Sequence, residues 1–166
     1  KFFQGYNNLA NIHKKLKNTE KSIKFFKKAI ELNPNYINAL YNLAIVYFEI
    51  GKYEESTIYY KKVLKINPKH IAALNNFGLL LKSIKKYDDA LKCFEKIIYM
   101  DNNFLKAYNN IGNISLELGD IKTAIANYKK VIKLDPDNFI SYKNLLAAYE
   151  NSNQIENYKD VLKLSK

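Results

Sequence analysis

The sequence predicts an all-α fold, an α-solenoid of about five stacked helix–turn–helix units, and three observations carry that expectation. Pro34, Pro68 and Pro136 stand on a common step of 34 residues, with Asn102 at the one stop between them. Within each step two apolar runs recur at helical spacing. Short breaks such as Gly119-Asp120 separate the two runs, and Asn or Asp with Pro closes the second, as in Asp135-Pro136-Asp137. A period of this size belongs to stacked supersecondary units rather than to one globular core.

Residues 105–138 are the clearest copy. Tyr108, Ile111, Gly112 and Ser115 mark helix A; Ile121, Ala124, Ile125, Tyr128, Val131, Ile132 and Leu134 mark helix B. Proline ends helix B because it lacks an N–H and clashes with the preceding turn. The same frame gives repeats at 3–36, 37–70, 71–104, 105–138 and 139–166, read as one array over 1–166. Ten helices in five pairs are expected, with A/B turns near Thr19, Gly51, Lys85, Gly119 and Asn153.

Small residues recur where paired helices must approach, at Ala10, Ala44, Gly78 and Gly112 and at Ser22, Ser56, Ala90 and Ala124. Bulky residues recur where the layer must be filled, at Phe26, Tyr60, Phe94 and Tyr128. That alternation is what close packing of antiparallel helices requires.

The repeats differ in character. The first is the most basic, and its His13 reads as a half-buried structural side chain. The second leaves Tyr41, Ile45 and Phe48 on helix A beyond those needed for the A/B contact, and Leu79 of the third continues that apolar patch. The third lacks the closing Pro and the turn Gly, with Asn102-Asn103 expected to stop its helix B. In the fifth, Leu146 and Tyr158 fall on the small sites, while residues 157–165 match 127–135 with a step of 30, so irregular packing is expected there.

In this frame Tyr108, Ile111, Gly112, Ser115, Ala124, Tyr128 and Pro136 occupy the places of the tetratricopeptide repeat pattern, as do Tyr6, Leu9, Ala10, His13, Ser22, Phe26 and Pro34 in the first copy. The chain resembles the tetratricopeptide repeat family over essentially its whole length. That resemblance implies a right-handed superhelix with helix A lining a concave groove and helix B outside.

The net charge of +11 raises the question of polyanions. The lysines recur at Lys27-Lys28, Lys61-Lys62, Lys96 and Lys129-Lys130, one part of helix B, which reads first as a solvated face. Nucleic acid is therefore a secondary expectation. Cys93, the one cysteine, has no partner for an internal disulfide and fits a reducing compartment. No apolar run approaches the roughly 18 residues of a membrane span. The opening at Lys1 inside a helical pattern reads as a piece of a longer protein. An intracellular location, cytoplasmic or nuclear, is expected.

No phosphate loop, metal-ligand spacing or nucleophile elbow occurs, so no enzyme activity, cofactor or metal is expected of these residues. What stands out is a column of amides. Asn8, Asn42, Asn76, Asn110 and Asn144 lie one period apart in the middle of helix A, where Asn is a poor choice. Asn7, Asn75 and Asn109 precede three of them, and Asn113 lies a turn beyond Asn109. A primary amide donates and accepts, which matches the N–H and C=O groups of an extended peptide.

The column resembles the asparagine ladder of O-linked N-acetylglucosamine transferases, where such residues hold the acceptor polypeptide. The carboxylate clamp for chaperone C-termini is resembled less, because Ala72 and Asn76 stand where its cations would be. The leading expectation is a protein-interaction scaffold binding an extended polypeptide through the amide column, flanked by Tyr41, Ile45, Phe48 and Leu79. The alternatives are a recruiting arm of a larger transferase of that kind, and polyanion or nucleic-acid binding through the lysine face. Self-association through the terminal repeats is left open.

Overall fold

The computed structural model describes residues 2–152. Nine α-helices and no strand occur among them. In chain order these are α1 (Phe2–Lys15), α2 (Thr19–Leu32), α3 (Ile37–Glu49), α4 (Tyr53–Ile66), α5 (Ile71–Ser83), α6 (Tyr87–Met100), α7 (Leu105–Glu117), α8 (Ile121–Leu134) and α9 (Phe139–Asn151). Odd-numbered helices are the expected helix A and even-numbered ones helix B. The expected tenth helix, with Asn153 and Tyr158, lies outside the described residues.

The A/B turns use one backbone device. Lys17, Gly51, Lys85 and Gly119 all have positive φ, between 57° and 79°, on the step of 34 residues. In three of these turns the following N–H returns to the preceding helix, Asn18 to the His13 carbonyl, Lys52 to Tyr47 and Asp120 to Ser115, at 2.8–2.9 Å. This is a Schellman-type close, in which a left-handed residue lets the last carbonyls find donors. The first turn is centred on Lys17 rather than near Thr19, which opens α2. Glycine makes the position conspicuous in two copies, and lysine conceals it in the other two.

Helix B stops for a reason other than the one proline suggests. The side chains of Asn33, Asn67 and Asp101 accept from the backbone N–H two residues on, at 3.0–3.2 Å. Such an Asx turn spans the proline position and turns the chain whether or not a proline stands there. The third repeat therefore closes normally with Asn102 in place of proline; Asp101 does the work assigned in the sequence reading to Asn102-Asn103. Side-chain acceptors also open helices: Asn18 for α2, His70 for α5, Asp120 for α8 and Asn138 for α9.

The described helices divide into two compact units, α1–α5 and α6–α9. In the first, α1 and α2 pack with α3, α3 with α4, and α5 against both α3 and α4. Its core holds Phe26, Ala29, Ala39, Leu43 and Tyr47 around Ala10, and the Tyr60 ring reaches Phe77 at 5.9 Å between centroids. In the second, α6 packs on α7, α7 on α8, and α9 on both α7 and α8. Ala124, Tyr128, Leu145, Ala148 and Tyr149 form a core there, with half-buried Leu146 against it.

The expected small and large positions are all buried. At Gly112 a Cβ would stand 2.6 Å from Tyr128 Cε1. The helix crossing in that repeat is set by the absence of a side chain.

Candidate peptide-binding face

The middle turns of the helix A elements place the asparagine column at the same register in each repeat. In the first unit Asn8 is exposed on α1, while Asn42 on α3 and Asn76 on α5 are half-buried. Asn42 Nδ2 donates to Asn7 Oδ1 at 3.3 Å, and Asn76 Nδ2 donates to the Tyr41 hydroxyl at 2.9 Å. Both bonds join consecutive helix A elements at a separation of 35 residues, one more than the period. Asn75 Nδ2 adds a bond to Asn76 Oδ1 at 3.2 Å. Asn7 is buried, so it anchors Asn42 from beneath rather than standing on the surface.

The apolar side chains beside the column are half-buried: Tyr41, Ile45, Phe48 and Leu79. Tyr41 is the most committed of them. Its ring lies 5.2 Å from that of His70 and edge-on to Tyr60, and burial raises its pKa above the ordinary tyrosine value. Phe48 leans on Tyr53 with ring centroids 5.9 Å apart. An ion pair between Lys14 and Glu49, at 2.9 Å, ties α1 to α3 near the same edge.

The second unit repeats the arrangement with different chemistry. Asn113 Oδ1 accepts from the Tyr128 hydroxyl at 2.8 Å and from Asn144 Nδ2 at 3.3 Å, so one amide joins α7, α8 and α9. Asn109 Oδ1 lies 2.9 Å from the Ser141 hydroxyl. Asn110 is half-buried, and its side chain makes no hydrogen bond among the described residues. Burial pushes the Tyr128 phenol up to about 12, so it stays protonated and donating at any ordinary pH.

Sequence reading missed the cross-repeat ties from Tyr41 and Lys14. The usable signal was the offset of 35, since Asn7 with Asn42 and Tyr41 with Asn76 both show it. His13 is half-buried and stacked on Phe25 at 5.3 Å, and His70 spends its Nδ1 on the Ala73 N–H. Neither stands in the column. Cys93 is buried on α6, with its thiol pushed up to about 11 by burial, which suppresses the reactive thiolate.

Four of the helix B lysines stand against a neighbour. Lys28 pairs with Glu31 at 2.9 Å, and the Lys62, Lys129 and Lys130 ammonium groups sit 5.1–5.9 Å from tyrosine ring centres. No helix among the described residues is long and apolar enough to cross a membrane.

The tetratricopeptide repeat profile matches residues 2–69, 36–103 and 105–138. The chain belongs to the tetratricopeptide repeat family. Proteins of this family serve in general as scaffolds for protein–protein interaction. Against curated protein sequences the chain has no match. Among solved structures it is similar to a crystal structure of MamA, with TM-score 0.90 and 20% identity, covering 98% of this chain and 89% of that one. PilF of Pseudomonas aeruginosa gives TM-score 0.83 and 20% identity over 98% of this chain and 74% of that one. YrrB, described as a TPR protein with an unusual peptide-binding site, gives 0.79 and 21% over 96% and 82%. At these identities the likeness concerns the fold.

Proposed function

We propose that this tetratricopeptide array is a scaffold that holds an extended polypeptide along its helix A faces. The observation that carries the reading is the amide column at one register, with Asn42 and Asn76 oriented but not exhausted and Asn110 unspent among the described residues. Asn42 and Asn76 each commit a donor to a neighbouring repeat, yet a primary amide has two donors and two acceptor sites. The cross-repeat bonds hold the amides in place before a peptide arrives, and preorganisation of this kind lowers the cost of binding. The half-buried Ile45, Phe48 and Leu79 beside them favour a segment with apolar side chains. YrrB, a protein of similar fold, is described as having an unusual peptide-binding site, which supports peptide binding as the kind of function.

The test starts from a disordered peptide selected on the chain from a random display library. Replacing Asn42, Asn76 and Asn110 together by Ala should weaken that peptide by about 1.5 to 4.5 kcal/mol in calorimetry, from about 0.5 to 1.5 per hydrogen bond. Asn110→Ala alone should weaken it without moving the melting temperature, because that amide holds nothing else. Unchanged affinity in both folded variants would remove the column from the site. Selected ligands that prove acidic, with affinity collapsing as salt rises, would move the site to the helix B lysines.

A further inference from the structure

Between the C-terminal turns of α2 and α4 lies a cleft of about 520 Å³, lined by Ile30, Pro34, Asn35, Lys62, Lys65 and Ile66. Both helices that frame it already have their neighbours: α2 packs on α1 and α3, and α4 on α3 and α5. Repeats in a solenoid touch only the next ones along, so a further repeat at either end of the array would stack elsewhere and leave this cleft as it is. Ile30, Pro34 and Ile66 give it an aliphatic lining. Ile30 is half-buried, and Ile66, the last residue of α4, is 39% exposed near an exposed proline. The Asn35 side-chain amide makes no hydrogen bond among the described residues.

Charge sets this stretch apart from its copies. From Ser56 to His70 the chain carries Lys61, Lys62, Lys65 and Lys69 and no carboxylate. The same window holds Glu31 in the first repeat, Glu95 and Asp101 in the third, and Asp135 and Asp137 in the fourth. Glu31, next in sequence to Ile30, is taken by Lys28 at 2.9 Å. Lys62 lies over the Tyr59 ring, a contact that leaves its charge uncompensated, and Lys65 has no partner among the described residues. Exposed ion pairs contribute little by themselves, so an aliphatic anchor must supply the hold while the ammonium groups choose what flanks it. Two copies of the cleft set face to face would oppose lysine with lysine, and a nucleic acid would leave the aliphatic lining unused. We propose that the cleft between α2 and α4 is a docking site for an acidic polypeptide segment, with one apolar side chain seated on Ile30, Pro34 and Ile66 and carboxylates beside Lys62 and Lys65. This site is separate from the amide column and does not rest on it.

The probe is a fluorescein-labelled peptide, Gly-Ser-Glu-Asp-Leu-Asp-Glu-Ser-Gly, titrated with the whole chain in fluorescence anisotropy. One control replaces its leucine by alanine, a second replaces its acids by serine, and a third is a single-stranded thymidine oligonucleotide of equal charge. The acidic leucine peptide should bind at least about tenfold more tightly than each control, a difference of about 1.4 kcal/mol. Ile66→Gln changes an exposed side chain, and Lys62→Gln with Lys65→Gln keeps most of the aliphatic stems, so circular dichroism should be unaltered. Each of these two α4 variants should weaken the peptide about tenfold or more. Lys122→Gln with Lys133→Gln removes as much charge from exposed positions on α8 and should change the affinity by less than about twofold. Asn42, Asn76 and Asn110 replaced together by Ala should leave the peptide bound, which keeps this site distinguishable from the amide column. No binding, equal affinity for the alanine peptide, a tighter hold on the oligonucleotide, indifference to both α4 variants, or loss of binding in the asparagine variant would overturn the proposal. So would an equal loss in the α8 variant, since the attraction would then be one of net charge. A dimer in sedimentation equilibrium that Ile66→Gln abolishes would give the cleft to a second copy and overturn it too.

Discussion

Tyr60 in the first unit and Tyr128 in the second occupy the same place in helix B, two periods apart, and both rings are fully buried. Their hydroxyls are treated differently. Tyr128 donates to Asn113, which also accepts from Asn144, and its ring slides over the bare backbone of Gly112. At Tyr60 the corresponding residues are Ala44 and Ile45, and the hydroxyl is buried without a hydrogen-bond partner. Burial and the neighbouring Tyr41 phenol raise its pKa, and the nearby Asn76 amide offsets this only in part. One repeat thus closes its layer with an amide network and the other with aromatic and aliphatic packing. The same helix crossing tolerates both, because it is set by ring volume and small facing residues rather than by the polar tip.

The largest effect expected from this comparison is at Gly112. Gly to Ala in a helix interior ordinarily stabilises by about 1 kcal/mol. Here the new methyl would collide with the Tyr128 ring, so Gly112→Ala should destabilise by about 1 to 3 kcal/mol in urea denaturation. A gain in stability would show that the ring has room to retreat and that its bond to Asn113 does not hold it.

The two tyrosines should next respond differently to the same substitution. Tyr128→Phe removes a made hydrogen bond and should cost about 0.5 to 1.5 kcal/mol. Tyr60→Phe removes a buried hydroxyl with no partner and should be neutral or stabilising by up to about 1 kcal/mol. Equal losses in thermal unfolding would mean that the Tyr60 hydroxyl is satisfied in solution, and the contrast between the units would disappear.

The smallest effect concerns a helix opening found in the second unit. Asp120 accepts from the Thr123 N–H at 3.2 Å, and bonds to Thr123 hold its carboxyl below the usual carboxylate value. A depressed folded pKa contributes stability that is present above the unfolded value near 4 and lost as pH falls through the folded one. The melting-temperature gap between the wild type and Asp120→Ala should therefore be constant from pH 7 to about 5 and narrow below about 4. Lys52, at the same position before α4, makes no side-chain cap, so Lys52→Ala should show no such narrowing.

Much of the fold was legible because a solenoid repeats its instructions. Phe26, Tyr60, Phe94 and Tyr128 read as layer fillers from spacing alone, and all four are fully buried. The positive-φ turn was legible at Gly51 and Gly119 but not at Lys17, where lysine adopts a backbone that its composition does not advertise. The candidate site was legible as a column but not as a network. That Asn7 lies buried beneath Asn42, or that Tyr41 takes the Asn76 amide, depends on how far one helix slides along the next.

Taken by itself, the sequence determined the period, the helix pairing within each repeat, the family and the register of the asparagines. These are properties of spacing, and helical geometry converts spacing along the chain directly into position on a face. Tertiary structure alone decided which amides are spent and which remain available, and which tyrosine hydroxyl finds a partner. Each depends on contacts of a few ångströms between residues a full period or more apart, where a lateral shift smaller than one helical turn exchanges one partner for another.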